Sequence, residues 1–326
     1  MTDAPSKVLI TGGRGIGGLR TFAQALREGF AELGIPAEVI HPYGILSRWR
    51  ELRDPGVLKI LSTTAVFAAP FARRAICVAH GFPRPDAQGW LKTLGILASF
   101  KLANFTSDCP LSAVSEYVAA HLRAVYKLRV DTVIYNPLQS VFCEPWQSSE
   151  PRNYLTYVGK LIPVKNLHRL LPAMRQLLDE DRNLRICIVG DGPQRKALEM
   201  SVQGEPRIEF TGSLDPLSVR ARLRKSSVFV SGGETEPWGL VYAEALSQGC
   251  AVAMPACGGG LEIAPELIGT QIRLLPLSLD ENEIVSVLKK LLKNSTDTVR
   301  SVTVDNYDPE LVARTYLQAA PESAQS

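Results

Sequence analysis

Glu236-Pro-Trp-Gly-Leu-Val-Tyr-Ala-Glu244 sets two carboxylates with seven residues between them, and Pro237, Trp238 and Gly239 fall inside the gap. The apolar run before it, Val228-Phe-Val-Ser231, reads as a buried parallel strand. The residues from Leu240 to Ser247 read as a helix stopped by Gly249. Glu236 therefore belongs to a strand-to-helix loop and Glu244 to the helix that follows. Open α/β sheets bind ligands at such loops, at the carboxyl ends of parallel strands. A helix start adds free N–H groups suited to phosphate or sugar oxygens. One carboxylate in the loop and one about two turns further down suit two hydroxyl-rich parts of a single ligand.

The same strand–glycine–helix punctuation repeats outward in both directions. Lys7–Thr11, the glycine-rich loop 12–18, a helix over 21–33 and the strand Ala37–Ile40 make a βαβ opening. Strands are expected over 58–62, 75–79, 111–114 and 132–135, with helices over 90–103 and 115–126. The stretch 141–152, with Pro145, Ser148, Ser149 and Pro151, reads as an interdomain linker. A second series follows, with strands over 154–159, 184–190, 207–211, 228–231, 251–254 and 271–274. Helices over 281–292 and 308–319 close the chain. The expected fold is α/β with two Rossmann-like domains facing a cleft. The domains span 1–140 and 141–306, and a last helix and tail, 307–326, can return to the first.

Composition narrows the functional classes. A chain of 326 residues with 45% hydrophobic and 21% charged residues is globular, and a net charge of +3 is too small to argue for nucleic acid. Arg48, Arg50, Arg53, Arg73 and Arg74 make the first half mildly basic. A solvated surface is the simpler reading of that charge, and a weak peripheral contact with an anionic membrane is the other. The six cysteines show no metal or redox spacing and read as buried, reduced thiols of a cytoplasmic protein. The polar start offers no signal peptide, and no apolar run reaches the length of a spanning helix.

Thr11-Gly-Gly-Arg-Gly-Ile-Gly17 is similar to the opening of short-chain dehydrogenases, but one residue short. The chain has no Tyr-x-x-x-Lys pair, and His41 stands where a ribose-binding acid belongs. What survives is a loop whose backbone can approach a ligand closely. Lys160 and Lys165 lie between the strand ending near Gly159 and a helix starting near Asn166, a spacing that can bracket a diphosphate. Two solvated loop lysines are the plainer alternative. Gly190 and Gly212 mark two further strand ends of the same series.

Together these residues resemble the retaining glycosyltransferases of the GT-B fold, glycosyltransferase family four. The second half carries Val158-Gly-Lys-Leu161 with Lys165, Val189-Gly-Asp-Gly-Pro193, Phe210-Thr-Gly212, then Glu236 to Glu244 and Gly258-Gly-Gly260 in order. The first half matches more loosely, through Gly17-Gly18, His80-Gly81 and Val114-Ser-Glu-Tyr117. The resemblance implies transfer of a sugar from a nucleotide-diphosphate sugar to a saccharide or lipid-linked acceptor, with retention of configuration and no metal or other cofactor. It places Lys160 and Lys165 at the leaving diphosphate and Glu244 at the ribose. Glu236 would hold the transferred sugar, with help from amides near Trp238, Gly239 and Leu240. Gly17 and Gly18 would close over phosphate or acceptor, and His80 would stand beside the donor sugar. His41, His121 and His168 are assigned to structure or surface. The family commonly has Arg where this chain has Lys160, which keeps charge but loses the planar fork. A nucleotide-sugar epimerase of the same fold and a silent sugar-nucleotide binder are the alternatives. Location would be cytoplasmic, or peripheral at the inner membrane face.

Overall fold

The computed structural model describes residues 4–13, 17–84, 89–106, 108–144, 146, 152–298 and 305–322. The chain divides into two compact units, Met1–Ser140 with Asp305–Ser326, and Val141–Val304. Each is built on a six-stranded parallel sheet.

In the first unit the strands are β1 (Lys7–Thr11), β2 (Ala37–Ile40), β3 (Val57–Ser62), β4 (Ala75–Ala79), β5 (Leu111–Ala113) and β6 (Thr132–Val133). Their order is β2-β1-β3-β4-β5-β6. Apart from the short helix Trp49–Arg53 and the C-terminal helix described below, the unit's helices are α1 (Gly18–Glu32), α2 (Trp90–Thr106) and α3 (Glu116–Ala124). β3 and β4 are buried along their whole length, as a parallel sheet covered by helices requires. α1 begins three residues earlier than its apolar spacing suggests, because the Gly17 carbonyl accepts from the N–H groups of Arg20 and Thr21 at 3.0 and 3.2 Å.

The second unit has β7 (Tyr154–Val158), β8 (Arg185–Val189), β9 (Ile208–Gly212), β10 (Ser226–Val230), β11 (Ala251–Pro255) and β12 (Ile272–Leu275). Their order is β12-β11-β10-β7-β8-β9. Its helices are α4 (Leu167–Glu180), α5 (Arg195–Ser201), α6 (Pro216–Arg224), α7 (Leu240–Ser247) and α8 (Glu281–Thr298). Leu170, Met174 and Leu177 of α4 share a core with Ile284, Leu288 and Leu291 of α8 and with Val228 and Val230 of β10. β10 starts two residues before the apolar run. Ser226 and Ser227 enter the sheet because their hydroxyls donate to the carbonyls of Arg222 and Tyr154, at 2.7 and 3.2 Å.

The stretch read as a linker differs from that expectation where it is described. Phe142 is buried, and the Gln248 side-chain amide donates to the carbonyls of Phe142 and Glu144, each at 3.2 Å. The Arg152 guanidinium donates to the carbonyls of Leu223 and Gln248 at 3.1 and 2.9 Å, and also to that of Gly249. These bonds tie the segment to the second unit. Pro145, Ser148, Ser149 and Pro151 lie outside the described residues.

Helix α9 (Pro309–Ala319) belongs to the first unit and starts against α1. Asp308 caps it, accepting from the N–H groups of Glu310 and Leu311 at 2.9 and 3.1 Å. A Cβ on Gly29 of α1 would stand 1.9 Å from the Pro309 carbonyl oxygen, so the two helices meet backbone to backbone there. Gly29→Ala would gain helix propensity, yet the added methyl must push α9 away. The expected result is a net destabilisation of about 1–3 kcal/mol, measured by urea unfolding. A variant as stable as the parent would show that α9 does not seat on α1 at this point.

Candidate active site

The second sheet reverses its order between β7 and β10, since β8 and β9 extend one way from β7 and β10, β11 and β12 the other. A crevice forms where the loops leaving the two central strands diverge. The loop after β7 carries Lys160 and Lys165, and the loop after β10 runs from Ser231 to Gly239.

Within this unit the structure brings Lys165 and Glu236 into direct contact. The Lys165 ammonium donates to the Glu236 carboxylate, with side chains 27% and 19% exposed, so the pair is partly shielded but still open to solvent. The loop is held from several sides. Asn166 takes a left-handed conformation, φ 53°, and its side-chain N–H donates to the Gly232 carbonyl and to a Glu234 carboxylate oxygen at 3.0 and 2.9 Å. The Cys257 thiol donates to the Glu234 carbonyl at 2.7 Å. The Glu236 carbonyl accepts from the Gly259 N–H at 2.9 Å.

Gly239 then turns the chain into α7. Its φ is 83°, and a Cβ there would lie 2.5 Å from the Tyr242 ring. Only glycine fits both the backbone and the space. The first amides of α7, from Leu240 onward, precede any intrahelical acceptor. Trp238 is buried beside them. Tyr242 is buried and donates to the Ser231 hydroxyl at 3.2 Å, and burial raises its phenol pKa.

Glu244 lies on α7 and is only 9% exposed, yet no hydrogen bond or ion pair reaches its carboxylate among the described residues. Burial alone pushes its pKa up to about 7. An ionisable group in such a state is destabilising unless something donates to it.

Gly190 and Gly212 meet at the strand ends, with the Gly190 N–H donating to the Gly212 carbonyl at 2.8 Å. Gly190 has φ 133°, and a Cβ there would stand 1.9 Å from the Gly159 carbonyl oxygen, so these turns pack as bare backbone. Lys160 is exposed and has no ion-pair partner among the described residues. Sequence reading did not foresee Arg195, whose guanidinium lies by Gly212 and pairs with Glu199 at 2.8 Å and Asp191 at 3.3 Å. Asn166 and Cys257 were likewise missed. An Asn directly after Lys165, a residue type that tolerates left-handed backbone, was the one local signal available.

His80, Gly17 and Gly18 are placed in the first unit. His80 follows β4, its ring edge-on to Phe22 at 4.4 Å, and its backbone N–H donates to the Thr63 hydroxyl at 3.0 Å. Its Nε2 is buried without a partner, and burial lowers the imidazole pKa to about 3. Burial thus favours the neutral ring. A Cβ on Gly18 would meet nothing within 4 Å, so that position is open. His121 stacks on Phe82 at 3.7 Å, and His168 is exposed. Among the described residues no group of three or more His, Cys, Asp or Glu could hold a metal ion. Four cysteines are buried, while Cys143 and Cys257 are half-buried.

Residues 142–302 match the model of the family described as glycosyl transferases group 1. The chain is 26% identical over 269 residues to a GDP-mannose-dependent alpha-mannosyltransferase of Mycobacterium tuberculosis, covering 79% of this chain and 65% of that protein. It is 29% identical over 166 residues to the sulfoquinovosyl transferase SQD2 of Arabidopsis thaliana, covering 48% of this chain and 32% of the relative. The chain therefore spans from about a third to just under two-thirds of these relatives' own length. Among solved structures, WaaG, a glycosyltransferase involved in lipopolysaccharide biosynthesis, superposes with TM-score 0.69 at 16% identity, covering 95% of this chain and 98% of that one. HepE of Anabaena, solved with UDP and glucose, superposes with TM-score 0.68 at 16% identity over 97% of both chains. The fold is GT-B, two Rossmann-like lobes, and the second lobe belongs to the glycosyl transferases group 1 family.

If Lys165 turns from Glu236 to a bound diphosphate, Lys165→Ala should weaken a nucleoside diphosphate by roughly tenfold or more, the worth of a charge-assisted hydrogen bond. The parent nucleoside should be nearly unaffected. Isothermal titration of both ligands checks this, and equal small losses would return Lys165 to a solvated role.

Proposed function

We propose that the chain moves a sugar from a nucleoside-diphosphate sugar to an acceptor hydroxyl with retention of configuration. The observation that carries this is Glu244: a buried glutamate whose carboxylate meets no donor among the described residues, on the helix that follows the Lys165–Glu236 pair at the sheet's reversal point. Two ribose hydroxyls supply the donors it lacks. Lys160 and Lys165, with the first amides of α7, suit the leaving diphosphate. Glu236 and the backbone near Trp238, Gly239 and Leu240 suit the transferred sugar. Gly190 and Gly212, where the strand-end turns pack as bare backbone, border the place this reading gives the nucleotide. Gly17, Gly18 and His80 are the residues this reading assigns to the first lobe. The lobes in this reading are 1–140 and 141–306, with 307–326 returning to the first.

In the reaction the bond from the sugar carbon to the diphosphate oxygen breaks, and the acceptor oxygen bonds to the same face of that carbon. The acceptor proton passes to the departing phosphate oxygen. A neutral His80 fits this scheme as a hydrogen-bonding group, since a ring with its pKa near 3 cannot deliver a proton as imidazolium. The relatives' names cover GDP-mannose and sulfoquinovosyl chemistry, and the HepE structure holds UDP. Base and sugar are therefore left to experiment, and the acceptor is a saccharide or a lipid-linked hydroxyl. The reading includes work in the cytoplasm, with weak contact to the inner membrane face through the basic first half.

The test is a thermal-shift screen of uridine, guanosine and adenosine diphosphates and their sugars, because a ligand that binds only the folded state raises the melting temperature. The matching donor is then assayed with and without acceptor. Turnover without acceptor to an isomerised donor would make the chain an epimerase, and binding without turnover a silent binder. Lysines and amides can carry the electrostatic work, so activity should persist in excess EDTA. Loss of activity restored by magnesium or manganese would contradict that division of labour.

A further inference from the structure

Helix α2 is apolar on both sides. Thr93, Phe100 and Ala103 form its buried face. Trp90, Leu91, Leu94, Leu102 and Phe105 are exposed by 65, 82, 45, 50 and 92%, far more than a covered helix allows. Leu91, Leu94, Leu102 and Phe105 recur at helical spacing and so form one stripe. At 17 residues the helix is about 25 Å long. No helix among the described residues is long and apolar enough to cross a membrane. An apolar stripe with nowhere inside to go marks an interaction surface.

We infer that this face rests on a lipid bilayer carrying anionic headgroups. The charge around the stripe selects that occupant. Lys92 and Lys101 are the only charged residues of α2, which has no Asp or Glu. The turn 66–71 packs against the helix and ends in Phe71, whose ring lies 5.9 Å from that of Trp49. The Arg53 guanidinium lies 5.9 Å from the Trp49 ring centre, and Arg50 and Arg73, close to Trp49 and Phe71 in the chain, are exposed. An apolar stripe on a helix whose charges are all lysines, in a unit with exposed aromatic rings and arginines near the turn packed against that helix, matches the depth profile of a membrane interface, with rings and stems in the headgroup layer and charges at lipid phosphates. A second copy of the chain fits less well, since a two-fold contact would set these cations against one another. The inference deepens the reading of a lipid-linked acceptor, resting on it only for its purpose: a transferase held at the surface meets such an acceptor in two dimensions.

The experiment is co-sedimentation of the full chain with phosphatidylcholine vesicles, with and without phosphatidylglycerol. The parent should bind the anionic vesicles and release as salt rises. Leu91→Glu with Phe105→Glu should lower the bound fraction by roughly tenfold or more. Lys92→Glu with Lys101→Glu should abolish the preference for phosphatidylglycerol. Unchanged melting temperatures and unchanged nucleotide-induced shifts in both variants establish that the fold and the donor site are intact. A parent that ignores anionic vesicles overturns the inference. So does a Leu91→Glu/Phe105→Glu variant that still binds them, or a parent dimer in solution that this variant dissociates. Vesicle binding in a protein that no nucleotide stabilises would sustain the surface and defeat the transferase reading, so the two fail separately.

Discussion

Glu244→Gln should make the ligand-free protein more stable at pH 8 and, at the same time, a poorer binder of its donor. The Glu244 carboxyl has its pKa raised from 4.5 to about 7 by burial. In the unfolded chain it ionises near 4.5, so between these values the folded state binds a proton that the unfolded state has released. Stability therefore falls as pH rises from about 4.5 to 7, and the full penalty persists above. A shift of this size corresponds to about 3 kcal/mol, and a residue only 9% exposed is poorly screened by water. Glutamine has the same shape and carries no charge at any pH. The variant should gain about 2–3 kcal/mol over the parent at pH 8 and lose that advantage near pH 4.5, read from urea unfolding across the range.

Donor binding should move the other way. In the proposed pose two ribose hydroxyls donate to the ionised carboxylate and lower its pKa, so donor affinity should rise with pH across the same window in the parent and not in the variant. Ribose does not change during transfer, so its contacts are alike in ground and transition states and appear in KM. An increase of roughly tenfold in donor KM is expected from lost charge-assisted bonds. A variant that is less stable at pH 8 would show that Glu244 already has a partner in the folded chain. One that is more stable but binds donor normally would remove Glu244 from the ribose. This opposition of stability and binding is what a group kept unsatisfied for a ligand should display.

Much of the fold is legible because parallel α/β units punctuate themselves. Glycine follows strand ends, apolar runs mark strands, and the spacing within each helix shows its buried side. That is why Lys7–Thr11, Ala37–Ile40, Ala75–Ala79 and Leu240–Ser247 sit where the residues predict them. What escaped has a different origin. Ser226 and Ser227 look like loop residues until their hydroxyls find carbonyls of neighbouring elements. The segment around Phe142 and Arg152 looks like a linker until Gln248, far along the chain, supplies its hydrogen bonds. The Lys165–Glu236 pair depends on β7 and β10 becoming neighbours across a sheet whose order reverses between them. Spacing places each glutamate on its element, but the partner of one and the lack of a partner for the other are tertiary facts. The outer face of α2 escaped for a related reason, since an apolar residue in a helix reads as core until its exposure is measured.

Glu236→Gln should lower kcat by about a hundredfold without weakening the binding of nucleoside diphosphate. In the ligand-free protein Glu236 holds the Lys165 ammonium and offsets part of its charge. Removing the carboxylate frees that lysine for the diphosphate, so product affinity should stay level or tighten by a few-fold. The pair is part-exposed, so the fold should tolerate the change with little loss of stability. The rate is another matter. As the bond to the leaving phosphate breaks, positive charge grows on the sugar ring while negative charge grows on the phosphate. In the proposed arrangement, a carboxylate at the sugar and an ammonium released to the diphosphate oppose both charges at once, and do so more strongly in the transition state than before it. That difference acts on kcat, whereas uniform binding would act on KM. The Cys257 and Gly259 contacts that hold this loop are untouched by an isosteric change, so the defect would report charge and not position. Steady-state kinetics with the donor found by thermal shift, together with titration of the nucleoside diphosphate, reads both quantities. A donor KM defect with normal kcat would move Glu236 to the ribose. Weaker diphosphate binding would mean that Glu236 orients Lys165 for the phosphate, and full activity would leave the ion pair as scaffold.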